Sequence, residues 1–216
     1  SIVTNVNALD DAFFTVDRIV LRKQTREQLQ IPDDIFLMGY IGSTWWYKVD
    51  VLVAMLPQLA ENIKLLLVGM KQDEEYHIRS VARTHGVEDR LVIRNRVPSQ
   101  DVFSYLVASD VLLIPPTLMY PGSICSKIYE YLAAGVPIVA HPAGANDEVL
   151  HDGKNALLVP STQAKPFADA VKRLQRDQQL QNSLGRQAVK DAKQYTWSKR
   201  AHDIRVLLQR VVFVKN

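Results

Sequence analysis

The sequence predicts an α/β domain: a doubly wound parallel sheet followed by C-terminal helices. Three observations predict it. Short, near-continuous apolar runs alternate with helical patterns as far as residue 159, the signature of strands buried on both faces by crossover helices. Most of the runs end at Gly or Pro, which close strands into turns. From residue 165 onward only a 3.6-residue period remains, so the chain finishes in helices.

The elements follow in order. Residues 21–29 have a helical period and lead through Ile31-Pro32-Asp33-Asp34 into a first strand, 35–41, closed by Gly42-Ser43-Thr44. A helix is expected over 48–59, a strand over 64–68 stopped at Gly69, and a helix over 73–85 stopped at Gly86. A third strand over 90–94 precedes a helix over 99–108 with Ser99 as its cap. A fourth strand over 111–114 ends at Pro115-Pro116. Then come a loop and helix between 120 and 135, a strand at 138–140, a short helix at 146–150 and a last strand at 156–159. Phe167, Ala170, Val171 and Leu174 keep a helical period, and Trp197, Ala201, Ile204, Leu208 and Val211 do so again. The domain therefore divides into an alternating core, 1–160, and C-terminal helices, 161–216.

Composition excludes several classes. With 47% hydrophobic and 23% charged residues the chain is globular, neither disordered nor fibrous. No apolar run is long enough for a membrane-spanning helix, and the N-terminus lacks a signal-peptide layout. The first residue is Ser1, which suggests a fragment or a processed product. The single cysteine, Cys125, excludes an internal disulfide, fits a reducing, cytoplasmic compartment, and reads as packing because no motif supplies a base beside it. From residue 160 onward 12 Lys and Arg face 4 Asp and no Glu, a net +8 that leaves −5 for the preceding residues. Such helices either present solvated faces or touch an anionic membrane from its inner side; no recognisable module or aromatic interleaving points to nucleic acid. The five histidines lack metal-ligand spacing, and neither a dinucleotide fingerprint nor a phosphate-binding P-loop occurs.

In a parallel sheet ligands sit at the carboxyl ends of the strands, and the loops carrying Ser43, Val97, Gly122 and Gly144 share that edge. The stretch 120–150 is the densest. Pro121 and Gly122 break the preceding run, Ser123 or Ser126 can cap a helix, Gly135 can end it in the left-handed conformation, and Pro137 forbids its continuation. Free amides at such a start favour an anion. Ser126, Lys127 and Glu130 lie three and four residues apart and share a face. Lys127 and Glu130 are therefore either site residues or an intrahelical ion pair worth about 0.2–0.5 kcal/mol.

The run SKIYEYLAAGVPIVA (126–140), followed by AGANDEVL (143–150), resembles the donor-binding signature of GT-B glycosyltransferases of the GT4 group. The resemblance extends from about residue 4 to about residue 208. It implies a Rossmann-like C-terminal half of a GT-B enzyme, whose N-terminal acceptor half is absent from this chain. The expected ligand is a nucleoside-diphosphate sugar, as substrate and without cofactor or metal. In that group a basic pair after the first strand holds the diphosphate. Its lysine falls on Lys48 beyond Gly42, while its arginine position is Ser43. Nucleobase contacts fall near Val97, where an ordinary loop valine is the alternative. Glu130 matches the second glutamate of an E-x7-E pair, which binds the ribose. The first falls on Gly122, a departure for which Lys127 and the Ser123 hydroxyl would compensate as diphosphate ligands. Glu148 matches a residue read as a structural cap. No catalytic base is identifiable, as expected where a second domain closes over the donor. The alternatives are a non-catalytic GT-B-like module for assembly or membrane binding and, on the same two-domain build, a nucleotide-sugar epimerase.

Overall fold

The computed structural model describes residues 8–117, 124–143 and 145–213, the last four as backbone only. Among them a six-stranded, wholly parallel sheet has the order β3-β2-β1-β4-β5-β6, formed by β1 (Phe36–Ile41), β2 (Ile63–Met70), β3 (Leu91–Asn95), β4 (Val111–Ile114), β5 (Ile138–Ala140) and β6 (Leu157–Leu158). The doubly wound α/β fold expected from the alternation is present.

The helices are α1 (Arg18–Leu29), α2 (Asp50–Ala54), α3 (Gln72–Thr84), α4 (Val102–Ala108), α5 (Lys127–Ala134), α6 (Ala164–Arg176), α7 (Gln178–Ala192) and α8 (Trp197–Phe213). Strand side chains alternate between two buried layers, as the period of two requires. Leu37, Ile41, Leu66, Leu112 and Ile138 pack with α1, α4, α5 and α7; Met38, Tyr40, Leu65, Leu113 and Val139 pack with α2, α3 and α6. The central strands β1, β4 and β5 carry no charged residue and are almost wholly buried because both faces are covered, whereas the edge strand β3 is only partly buried and ends in Arg94 and Asn95.

Several boundaries differ from expectation. The helix expected over 48–59 is only α2, followed by a 3-10 turn, Leu56–Gln58. Pro57 cannot donate to a continued helix. The carbonyls of Leu56 and Ala60 accept from Leu59 and Ile63 N–H and, in addition, from the buried Arg90 guanidinium, each at 2.7 Å. Ser99 does not cap α4: it opens a 3-10 turn, and Asp101 precedes the helix without a side-chain cap. The short helix near 146 is a 3-10 turn, Asn146–Glu148, and Glu148 is exposed and caps nothing among the described residues.

At α5 the expected stop holds: Gly135 takes φ +71°, and Pro137 follows. Here α5 meets α7 so closely that a Cβ on Gly185 would lie 2.2 Å from the Gly135 carbonyl oxygen.

Candidate functional site

Strands β1 and β4 are neighbours, yet the chain leaves β1 toward β2 and β3 and leaves β4 toward β5 and β6. Their carboxyl ends therefore diverge into a crevice, the usual ligand position in such sheets. Two segments border it: the loop after β1 and the segment running from β4 to α5. They are stitched together, since Lys48 N–H donates to the Pro116 carbonyl at 2.8 Å and the Thr117 hydroxyl to the Trp46 carbonyl at 2.7 Å. Helix α5 is tied to the same edge because Ile41 N–H donates to the Tyr131 hydroxyl at 3.0 Å.

This tethering carries Lys127 into the crevice. Its ammonium donates to the Tyr40 hydroxyl at 3.1 Å and lies 4.2 and 4.1 Å from the centres of the Tyr40 and Tyr47 rings. The side chain as a whole is partly buried, but its charged end is the enclosed part. A Cβ on Gly42 would come within 2.6 Å of the nitrogen. Gly42 takes φ +136°, a conformation that favours glycine, so backbone and cation meet there without a side chain between them. Loss of hydration pulls the Lys127 pKa down to about 8, against smaller opposing effects of Cys125 and Glu130. Among the described residues Lys127 makes no ion pair. The intrahelical Lys127–Glu130 bridge, one of the two readings of that spacing, does not form.

Glu130 instead lines a cavity of about 600 Å³ with Leu9, Phe13, Ser99, Phe103 and Trp197. Burial raises its pKa, and Lys127 partly offsets that rise. Lys48 is exposed at the crevice rim, and its charge adds to burial in lowering the pKa of His141, at the end of β5. Val97 is partly buried beyond β3 and packs against the core. The Ser43 hydroxyl is engaged by the Glu74 carboxylate at 2.6 Å. Ser126 sits before α5 in a helical conformation and makes no side-chain cap. Gly122, Ser123 and Gly144 lie outside the described residues.

Four contributors were not foreseen. Tyr40 and Tyr47 flank Lys127. Asn146 accepts the Cys125 N–H at 3.1 Å and so anchors the approach to α5. Glu74, on α3, grips the loop after β1. An acidic first turn, Asp73-Glu74-Glu75, is a legible helix-start signal, but the reach of Glu74 to a loop about thirty residues earlier is not. Cys125 is buried and its sulfur accepts from the Tyr47 hydroxyl at 2.9 Å, in keeping with packing. Among the described residues no group of three or more His, Cys, Asp or Glu could hold a metal ion, and no helix is long and apolar enough to cross a membrane.

The described residues thus form a doubly wound α/β domain whose switch point holds the Lys127 cation, with no ion-pair partner among them. The chain belongs to the glycosyl transferases group 1 family, which it matches over residues 22–191. The D-inositol 3-phosphate glycosyltransferase of Corynebacterium aurimucosum is 28% identical over 200 residues, covering 88% of this chain and 46% of that protein. The enzyme of the same name from Stackebrandtia nassauensis is 27% identical, covering 83% of this chain and 42% of its own length. The chain thus spans about half the length of the curated relatives it matches.

Among solved structures, Anabaena HepE in complex with UDP and glucose aligns with a TM-score of 0.82 at 20% identity, over 93% of this chain and 55% of that one. The C-terminal domain of the glycosyl transferase group 1 family protein LpcC from Francisella tularensis aligns at 0.67 and 17% identity, over 84% of this chain and 99% of its own. The fold is that of the C-terminal half of a GT-B glycosyltransferase.

Proposed function

We propose that this chain is the donor-binding half of a glycosyltransferase, holding a nucleoside-diphosphate sugar, as substrate, across the carboxyl edge of the sheet. The observation that carries the reading is Lys127: a cation held at the switch point between two aromatic rings, with no carboxylate in ion-pair contact among the described residues. A buried charge without a counter-ion is costly, and a bound diphosphate would supply the missing anion. Lys48 adds a second cation at the rim, Gly42 lets phosphate approach the backbone, Glu130 offers two oxygens to the ribose diol, and the backbone at Val97 faces the base. HepE, found with UDP and glucose, supports the assignment of ligand class.

In the assembled enzyme Lys127 and Lys48 would stabilise charge developing on the departing diphosphate, and a companion N-terminal domain would bring the acceptor. Calorimetric titration of the folded chain with UDP, GDP and ADP tests the reading. Binding of at least one is expected; silence toward all three overturns it.

We further propose that the protein is cytoplasmic and touches an anionic membrane surface. The membrane contact alone is supported by a groove of about 540 Å³ lined by Lys154, Arg186 and Lys190, none of them ion-paired among the described residues. Salt-sensitive sedimentation with vesicles containing phosphatidylserine is the expected result, and its absence at low salt refutes the contact.

A further inference from the structure

A continuous set of hydrogen bonds leads from α3 to Lys127. One oxygen of Glu74 accepts from the Ser43 hydroxyl at 2.6 Å, the Thr44 N–H at 2.8 Å, the Thr44 hydroxyl at 2.9 Å and the Trp45 N–H at 3.0 Å. Its other oxygen accepts from Lys71 N–H at 2.7 Å, satisfying a free amide at the start of α3. The Ser43 carbonyl, which can only accept, takes the Tyr40 hydroxyl proton at 2.6 Å. That fixes the direction of the next bond: the Tyr40 oxygen, its own proton directed at Ser43, presents a lone pair to the Lys127 ammonium at 3.1 Å. Burial opposes ionisation of Glu74, but its donors from Ser43, Lys71 and Thr44 outweigh it and hold the pKa below the usual carboxylate range, so the anchor is charged at neutral pH.

We infer that Glu74 and Tyr40 are positioning residues for the diphosphate: Glu74 fixes the turn at 43–45, the turn fixes the Tyr40 hydroxyl, and that hydroxyl aims the Lys127 ammonium into the crevice. The inference rests on the donor-binding reading above. The physical need is entropic. Residues 42–46 form a turn of glycine, small hydroxyl residues and exposed tryptophans, and Lys127 has four rotatable bonds; left unanchored, both would lose freedom only when ligand binds. A carboxylate that collects five donors removes that freedom in advance.

The test uses the nucleoside diphosphate among UDP, GDP and ADP that the unmodified chain binds best, together with its parent nucleoside, by calorimetry and NMR titration. Glu74→Gln replaces one acceptor oxygen with a donor, and Tyr40→Phe keeps the ring beneath the ammonium but breaks the chain in its middle. Each should weaken diphosphate affinity about tenfold, while nucleoside affinity stays within about twofold. A purely structural role would weaken both ligands in proportion, and that result overturns the inference. Should Glu74→Gln fail to fold, Tyr40→Phe decides alone. If the unmodified chain binds and Lys127→Met weakens that binding, but neither positioning variant does, this inference fails while the donor-site reading stands. If the unmodified chain binds none of the three, both fail.

Discussion

Replacing Lys127 with methionine should make the protein more stable and less able to bind. Methionine keeps the unbranched reach of lysine, and its sulfur packs well beside aromatic rings, so the volume between Tyr40 and Tyr47 stays filled. The lysine is disfavoured in its charged form: a pKa lowered from 10.5 to about 8 corresponds to roughly 3 kcal/mol against the ammonium in the folded state. Attraction to the two rings returns on the order of 1–2 kcal/mol, leaving an expected net gain of about 1–2 kcal/mol at neutral pH. The sign follows from proton counts. Because the folded pKa lies below the unfolded one, the unfolded chain binds more protons between about pH 8 and 10.5, so this group's penalty is complete below pH 8 and fades as pH rises to 10.5. The advantage of Lys127→Met should fade over the same window. Urea unfolding at about pH 7 and about pH 10 measures this, and titration with nucleoside diphosphate should show a loss of roughly 10- to 100-fold. A variant that is less stable than the parent at neutral pH, yet binds as well, would refute the reasoning.

Diphosphate affinity of the unmodified chain should itself fall as pH rises above about 8, because a neutral amine no longer pairs with phosphate; a flat calorimetric profile would exclude Lys127 from the site. Gly42→Ala imposes an unfavourable φ and drives a Cβ to 2.6 Å from the Lys127 nitrogen, so it should cost about 1–3 kcal/mol in urea unfolding and weaken diphosphate binding together. Glu130→Ala should weaken nucleoside-diphosphate binding more than pyrophosphate binding, and equal losses would remove it from the ribose. Gly185→Ala, whose Cβ would meet the Gly135 carbonyl oxygen at 2.2 Å, should destabilise by about 1–3 kcal/mol through the α5–α7 contact without altering the ratio of affinities for diphosphate and nucleoside.

The architecture was readable because its causes are local. Runs such as Leu65–Val68 are apolar at every position, which only a sheet covered on both sides tolerates, and Gly135 with Pro137 can only end a helix. The same local logic put the loops after the strands on the carboxyl edge of the sheet and Lys127 and Glu130 on one helix face, but it gave no strand order and so did not show that β1 and β4 diverge there. It could not say what those side chains face. Their spacing suits an intrahelical pair as well as two separate roles, and the choice comes from how Tyr131 pins α5 to the end of β1, which turns Lys127 onto Tyr40 and Tyr47 and leaves Glu130 on the neighbouring cavity. Nor could it show that the Ser43 hydroxyl binds Glu74, or that Arg90 reaches the carbonyls of the turns that follow α2. Periodicity and punctuation are properties of neighbours along the chain, so they can be read in one dimension. The partner of a charged side chain is set by which distant elements pack together, and that is known only once the sheet has been assembled.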